Sequence, residues 1–197
     1  LFEDNHIIVV EKKPNIPSQA DKTGDIDMLT LVKQYIKEKY QKPGNVYLGL
    51  LHRLDRPVGG IMIFAKTSKA ASRLSNQVRE KIFKKKYLAV VDGRFDEKEG
   101  TFEDYLYKDE RNNISKVVNK EKKNAKLAKL DYKELAYNEV KKLSLLEINL
   151  HTGRHHQIRV QLANAGHSIF GDQKYGKRGQ GKQIALWAYE LTIEHPI

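Results

Sequence analysis

The chain has 197 residues, with 36 lysine and arginine residues against 25 aspartate and glutamate residues, and it contains no cysteine. This length suffices to bury a core without disulfides, and the lack of cysteine excludes disulfide bonds, thiolate metal ligands and cysteine nucleophiles. The formal net charge of +11 predicts a partner rich in negative charge, of which nucleic acid is the commonest. Charge alone leaves open a merely soluble basic surface.

The hydropathy of the chain and its first residues indicate where in the cell the protein is expected. Uninterrupted apolar runs reach about six residues, whereas a membrane-spanning helix needs about 20. Residues 1–6 (LFEDNH) show no basic leader followed by an apolar stretch, so no secretory signal is visible. We therefore expect a cytoplasmic protein without a membrane partner.

The first third of the chain predicts a strand and then a helix. The β-branched run at residues 7–10 (IIVV) is typical of a buried strand, which Pro14 would end. Apolar residues then recur with helical spacing from Met28 to Ile36, where Asp27 is placed to cap the helix and residues 43–44 (PG) to end it.

A strand, a helix and another strand are predicted next. The apolar run at residues 60–65 indicates a core strand, and residues 86–91 indicate a second one. Between them a helix is predicted from Ser68, with Ala71, Leu74 and Val78 on one face.

Residues 108–129 are the most polar stretch and allow two interpretations. Their lysines include Lys116, Lys120, Lys122, Lys123, Lys126 and Lys129. The stretch is either a solvated hairpin or loop, or a basic arm that faces RNA phosphates.

The last part of the chain predicts a strand, a helix and a strand. Apolar residues alternate over residues 145–150, which is typical of a half-buried strand. After Gly153 a helix containing Ile158 and Leu162 is predicted to end at Gly166, and residues 184–193 indicate a final strand. Strands outnumber helices without strict alternation, which favours one α+β domain over residues 1–197 with a mixed, largely antiparallel central sheet flanked by helices and loops.

Residues 52–60 (HRLDRPVGG) form the first polar cluster. Asp55 lies between Arg53 and Arg56, ahead of two glycines that let a large ligand approach the backbone. Nearby cations favour the ionised carboxylate, which suits a nucleophile or base. An arginine–aspartate surface pair at a tight turn is the alternative interpretation.

Residues 152–160 (TGRHHQIRV) form the second cluster, at the predicted start of a helix, where anions are favoured. A metal site would have to use His151, His155 and His156. Gly153 interrupts the helical spacing of these histidines, and no cysteine or HExxH pattern supports zinc, so we expect no metal.

Lys84, Lys85 and Lys86 precede Tyr87 and form the third cluster. Lysines beside an aromatic ring suit phosphate contact and base stacking, although an ordinary strand tyrosine with solvated lysines is the alternative. No nucleophile elbow, P-loop or dinucleotide-binding glycine pattern is present, so hydride transfer and nucleotide hydrolysis have no support.

Taken together, the three clusters resemble the RluA-like family of RNA pseudouridine synthases. The order Arg-Leu-Asp, Lys-x-Tyr and Gly-Arg-x-His-Gln-Ile-Arg matches the family's motifs, and the resemblance extends from residues 4–17 to residues 166–172 (GHSIFGD). It implies the family's catalytic fold, an isomerase that converts uridine to pseudouridine in ribosomal or transfer RNA, and no cofactor. It also leads us to expect a monomer whose partner is structured RNA.

The resemblance also implies roles for individual residues. Asp55 takes the position of the essential aspartate, Arg53 that of the arginine that fills the space of the flipped uridine, and Tyr87 that of the aromatic that stacks on uracil. Arg159 matches the basic residue that pairs with the aspartate, and Ile158 matches the apolar wall of the base pocket.

Four further residues are assigned to RNA binding. Arg154 and Gln157 are expected to be structural or to contact RNA, and Lys84 and Lys85 are expected to contact phosphates.

Two departures from the family pattern accompany the resemblance. Residues 58–60 read Val-Gly-Gly where the family often has Thr-Ser-Gly, which removes a hydroxyl from the loop. The small N-terminal RNA-binding domain of many members is not seen in this sequence.

Two other functions remain open. One is an RNA-binding or chaperone-like protein that keeps the fold without turnover, and the other is a nucleosidase that releases the base.

Overall fold

The structure is a computed structural model that describes residues 1–177 and 181–197. The chain forms two compact units: residues 1–84 with residues 190–197 make the first, and residues 85–189 make the second. The single catalytic domain over residues 1–197 stays a prediction. No helix in the described part of the chain combines the length and apolarity that a bilayer crossing needs.

The first unit contains a small antiparallel sheet and two helices. Its elements are β1 (Phe2–Glu3), β2 (Ile7–Lys12), α1 (Met28–Lys39), β3 (Gly49–Leu50), β4 (Gly59–Ala65) and α2 (Ser68–Arg79). Strand β4 pairs with both β2 and β3, and β1 pairs with β2. The predicted strands at residues 7–10 and 60–65 are confirmed.

Both helices of the first unit begin at side-chain caps. The Asp27 carboxylate accepts a hydrogen bond from the backbone N–H of Thr30 at 3.1 Å, which confirms the predicted cap of α1. Thr67 caps α2 in the same way through the N–H of Ala70.

The predicted helix from Ser68 is confirmed, and its buried face includes a polar residue. Ala70, Leu74 and Gln77 are buried, whereas Val78 is exposed. Leu74 packs in a core cluster with Ile7, Ile63 and Phe83. The side-chain amide of Gln77 donates to the carbonyl of Glu194 at 2.7 Å and accepts from its N–H at 3.0 Å, so the buried polar groups are paired.

The second unit is built on a five-stranded antiparallel arrangement in the order β5-β9-β8-β6-β7. The elements that complete the chain are β5 (Lys84–Asp92), β6 (Glu99–Asp109), β7 (Ile114–Val118), β8 (Lys126–Asn138), β9 (Leu143–Leu150), α3 (Gln157–Asn164) and β10 (Leu186–Thr192). Strands β5 and β10 extend across the boundary between the units. The predicted strand over residues 145–150 and the predicted α+β class are confirmed.

About half of the polar stretch 108–129 is strand. It contains the end of β6, all of β7 and the start of β8, and Nζ of Lys122 lies 5.3 Å from the ring centre of Tyr107. Lys108 pairs with Glu110 and Lys129 with Glu103, so part of the positive charge is neutralised locally. The interpretation as a phosphate-facing arm stays a prediction.

Glu3 ties β1 to the far end of α1 and to the residue after β4. Its carboxylate accepts hydrogen bonds from Nζ of Lys39 and Nζ of Lys66, both at 2.7 Å, and from the hydroxyls of Tyr35 and Tyr40. Burial raises the pKa of Glu3, but these four hydrogen bonds outweigh it and lower the pKa from 4.5 to about 2.

The Glu3 cluster predicts a specific dependence of stability on pH. The folded pKa is lower than the unfolded one, so the stabilising contribution is present above about pH 4.5 and is lost as the pH falls towards 2. We expect Glu3→Gln to lower the free energy of unfolding by about 1 kcal/mol at pH 7. Urea denaturation should show this difference shrinking at pH 3.

Glu11→Gln is the matched control, because Glu11 is an exposed carboxylate on β2 of the same unit. An equal loss of stability in the Glu11 and Glu3 variants at pH 7, or a Glu3 effect that is constant from pH 7 to pH 3, would contradict the proposed linkage.

Candidate active site

The loop that carries Asp55 is fixed on both sides of the aspartate. Before it, the Ser18 hydroxyl accepts from the N–H of Leu54 at 3.0 Å and donates to its carbonyl at 2.8 Å. After it, the N–H of Val58 donates to the carbonyl of Asp55 at 2.9 Å and closes a tight turn. The side chains of Leu54 and Val58 are buried, while Asp55 is partly exposed. The loop therefore holds the carboxylate between two anchored apolar residues.

Lys12 lies fully buried at the end of β2 and reaches the same loop. Its ammonium donates to the carbonyls of Ile16 at 2.6 Å, Arg56 at 2.9 Å and Lys13 at 3.2 Å. Burial lowers the pKa of Lys12 to about 8, although the charge of Asp55 acts in the opposite direction. The amine is thus protonated at neutral pH, and three carbonyl oxygens match its three N–H donors. The positive charge of Lys12 therefore lies near Asp55, because its ammonium binds the carbonyl of Arg56, the next residue along the chain.

The two arginines beside Asp55 have different environments. Arg56 forms an ion pair with Asp25, lies 3.6 Å from Asp21 and donates to the hydroxyl of Thr23 at 2.9 Å. Arg53 is exposed. The sequence pattern therefore marked Asp55 as a candidate but did not indicate that Lys12 binds the same loop. The sequence signal for Lys12 was a lysine at the end of an apolar strand.

Tyr87 and Lys85 lie on β5 in the second unit. Tyr87 pairs with Ile148 of β9 and is 6% exposed. A methyl group added at Gly153 would lie 3.4 Å from Nζ of Lys85, so the lysine strand and the loop before α3 are brought together. Burial lowers the pKa of the Lys85 ammonium. Lys84, which belongs to the first unit, is exposed.

Gln157 organises the loop before α3. Its side-chain oxygen accepts from the N–H of Arg154 at 3.0 Å and from the hydroxyl of Thr152 at 2.7 Å, and its amide donates to the carbonyl of Lys129 on β8. Gln157 and Ile158 are buried, whereas Arg154 is exposed. These hydrogen bonds connect the loop to β8, and the assignment of Arg154 and Gln157 as structural or RNA-contacting residues stays a prediction.

The three histidines do not share a common focus. His151 bonds Asp131 at 2.6 Å, whereas His155 and His156 stack with ring centres 3.7 Å apart and each bonds a hydroxyl. Among residues 1–177 and 181–197, no group of three or more His, Asp or Glu side chains is arranged to hold a metal. Burial, which is the largest cause, together with nearby cations lowers the pKa of His155 to about 4 and that of His156 to about 2.

Arg159 is buried on α3, with 4% of its surface exposed, and forms a two-pronged salt bridge. Nε donates to one carboxylate oxygen of Asp172 at 2.8 Å, and Nη2 donates to the other at 2.6 Å. Burial raises the pKa of Asp172, but the Arg159 guanidinium and backbone N–H groups outweigh it and lower the pKa. Sequence reasoning missed Asp172 as a partner, although Gly171 and Gly176 flank the segment and mark a tight turn.

The predicted site residues are distributed over both units. Arg53, Asp55 and Lys84 belong to the first unit, and the other predicted residues, namely Lys85, Tyr87, Arg154, Gln157, Ile158 and Arg159, belong to the second. The roles assigned to these residues by resemblance stay predictions.

Comparison with known proteins identifies the family. The RNA pseudouridylate synthase family model matches residues 6–164. The chain is 34% identical over its whole length to an uncharacterized RNA pseudouridine synthase of Bacillus subtilis, YhcT, and covers 64% of that protein. It is 36% identical to ribosomal large subunit pseudouridine synthase C of Buchnera aphidicola over 90% of its own length and 54% of the relative.

The fold is also found among solved structures. Human RNA pseudouridylate synthase domain containing 1 superposes with a TM-score of 0.79 at 24% sequence identity, over 98% of this chain and 77% of the human one. The chain spans about half to two thirds of the length of the two bacterial relatives. The family match covers most of the chain, including the loop of Asp55, the strand of Tyr87 and the helix of Arg159. The protein therefore belongs to the RNA pseudouridylate synthase family.

Proposed function

We propose that the protein is an RNA pseudouridine synthase that isomerises uridine in ribosomal or transfer RNA. Family membership supports the reaction, and the ribosomal large subunit name of a bacterial relative supports ribosomal RNA as a substrate class. The observation that carries the proposal is the Asp55 loop, in which a partly exposed carboxylate is held by anchored neighbours and coupled to a buried ammonium. The proposed enzyme is a cytoplasmic monomer that needs no metal or cofactor.

The reaction is an isomerisation of the nucleotide. The bond between the sugar and N1 of uracil breaks, the base rotates and a bond forms between the sugar and carbon 5. Carbon 5 then gives up its proton to a base, and N1 takes up a proton from solvent, so the composition of the nucleotide is unchanged. Because nothing is oxidised and no group is transferred to another molecule, the chemistry calls for positioning, a carboxylate and a proton acceptor.

The proposed roles follow the resemblance. Asp55 acts at the sugar, either by attack on the anomeric carbon or by removal of a sugar proton. Arg53 occupies the space that the flipped uridine leaves, and Tyr87 stacks on the uracil and assists the loss of the carbon 5 proton. Stacking worth about 1–3 kcal/mol per base offsets the few kcal/mol needed to take a base out of its stack. Arg159 supplies a positive charge in the reaction.

Asp55→Asn should abolish pseudouridine formation while changing RNA affinity little. Asparagine keeps the shape of the side chain but can neither attack nor accept a proton. The measurement is tritium release from carbon 5 of labelled ribosomal and transfer RNA, prepared from cells that lack the gene. Turnover above a few per cent of wild type would rule out Asp55, and free uracil among the products would identify a nucleosidase.

Lys12→Met should destabilise the protein by about 2 kcal/mol or more, because the carbonyls of Lys13 and Ile16 lose the ammonium that they bind. It should also slow tritium release at saturating RNA, since the carbonyl of Arg56, next to Asp55, loses one of its two donors and keeps only the N–H of Asn15. Lys13→Met is the matched control, because Lys13 is the neighbouring exposed lysine. Equal stability and rate in the two variants would show that the buried ammonium supports neither the loop nor the reaction.

Replacing Lys84 and Lys85 with alanine should weaken RNA binding and make it less sensitive to salt. The slope of log affinity against log salt concentration should become shallower by about 1–2, because each phosphate that is no longer contacted keeps its counterion. Lys37 and Lys69 are exposed helix lysines and provide the control pair. Binding is measured by filter retention between 50 and 300 mM KCl, concentrations over which a change in slope is resolved. Equal slopes for both double variants would show that Lys84 and Lys85 are solvated lysines that do not contact phosphates.

A further inference from the structure

The turn that carries Asp172 has little freedom. Besides Arg159, one oxygen of the Asp172 carboxylate accepts from the N–H groups of Lys174 at 2.9 Å and Tyr175 at 3.2 Å. Gly171 has φ of +75°, and a methyl group there would lie 2.1 Å from the carbonyl oxygen of Gln183. The backbone therefore requires glycine at position 171, and the Asp172 carboxylate that follows it is held by its N–H donors.

Tyr175, three residues later, covers the guanidinium of Arg159. Cζ of Arg159 lies 5.2 Å from the centre of the tyrosine ring, within the range of a cation–π contact. The tyrosine hydroxyl is fixed in turn, because it accepts from the N–H of Ser115 at 2.8 Å and lies 2.7 Å from Nδ1 of His156. Arg159 is thus held at its edge by a carboxylate and at its face by an anchored ring.

His156 adds no positive charge beside Arg159. Nδ1 of His156 shares a hydrogen bond with the hydroxyl of Tyr175. Burial, which is the largest cause, and the charge of Arg159 lower the pKa of His156 to about 2, so the ring is neutral at neutral pH. A neutral ring at this position does not compete with Arg159 for Asp172.

We propose that Asp172 and Tyr175 are positioning residues that hold the Arg159 guanidinium for the isomerisation. The inference rests on the proposed function, in which Arg159 acts in the reaction. Arginine has a long side chain with high rotamer entropy, and a group ordered before substrate binds lowers the barrier, because no ordering remains to be done at the reacting step. A salt bridge that only stabilises the fold would have no effect on the rate of a folded, RNA-saturated enzyme.

The test separates rate from binding and folding. Asp172→Asn keeps the size of the side chain but removes the charge, and Tyr175→Phe keeps the ring but removes the hydroxyl. Each variant is first checked by circular dichroism and for affinity to the labelled RNA. The single-turnover rate of tritium release is then measured with enzyme saturating. We expect Asp172→Asn to slow release by up to about 100-fold. We expect Tyr175→Phe to slow it by about fivefold, because the hydroxyl's hydrogen bonds to Ser115 and His156 are lost. RNA affinity should change less than twofold in both variants.

Matched controls come from the same unit. Asp131→Asn removes the charge of a partly exposed aspartate that bonds His151 and Thr101, and Tyr132→Phe removes the hydroxyl of another buried tyrosine. Both should react at the wild-type rate. Folded Asp172 and Tyr175 variants that also react at the wild-type rate would overturn the proposal. If Asp172→Asn does not fold, the rate of Tyr175→Phe decides in the same way.

A double-variant cycle shows whether Asp172 acts through Arg159. Arg159→Lys keeps the charge but cannot form the two-pronged bridge. We expect it to be slow, and we expect the further change of Asp172 to Asn in that background to cost less than threefold. If the rate reductions of Arg159→Lys and Asp172→Asn multiply in the double variant, Asp172 acts independently of Arg159, which overturns the positioning role. A wild-type rate for Arg159→Lys and for Arg159→Met would instead remove Arg159 from the proposed reaction, an outcome distinct from failure at Asp172.

Discussion

The buried ammonium of Lys12 is the interaction on which the Asp55 loop depends. Removing an ammonium from water costs several kcal/mol, and the cost is offset only when its donors find acceptors in good geometry. Here the acceptors are carbonyls of the turn that follows β2, at residues 13 and 16, and the carbonyl of Arg56 in the Asp55 loop. One cation therefore joins two segments separated by about 40 residues of chain, and it does so next to the aspartate.

The second unit uses a different cation in a different way. A guanidinium is planar and carries its donors in a fork, so Arg159 is matched by the two oxygens of Asp172, whereas the ammonium of Lys12 is matched by separate carbonyls. The choice has a geometric consequence. A fork bound to a carboxylate fixes the plane of the group as well as its position, while an ammonium fixes a point. Arg159 therefore has a defined orientation, and Lys12 serves as an anchor.

Local signals in the sequence predicted much of the fold but not all of it. The β-branched run at residues 7–10, the Asp27 cap and the alternation in β9 each reflect an interaction between near neighbours, and each prediction is confirmed. Strands β6 and β8 were missed because charged residues repeatedly interrupt their apolar residues. Their pairing is decided by distant partners, such as Leu106 of β6, which packs with Ala128 and Val160.

The candidate site shows the same division between local and distant information. Asp55, Tyr87 and Arg159 could be found because each stands in a short motif of unusual residues. Lys12 and Asp172 could not, since a lysine or an aspartate in a sequence is by default an exposed residue. Only the folded chain shows that both are buried and that their partners lie in other segments.

Buried charge also explains why these two residues matter beyond their own bonds. Replacing a buried ion pair by well-packed apolar residues is often neutral or stabilising, so stability alone is a weak reason to keep one. What an apolar cluster cannot supply is a directed contact at one carbonyl or one edge of a guanidinium. The buried groups lie beside Asp55 and on Arg159, two of the three residues that the resemblance places in the reaction. Their burial is therefore better understood as a means of positioning charge than as a means of holding the fold together.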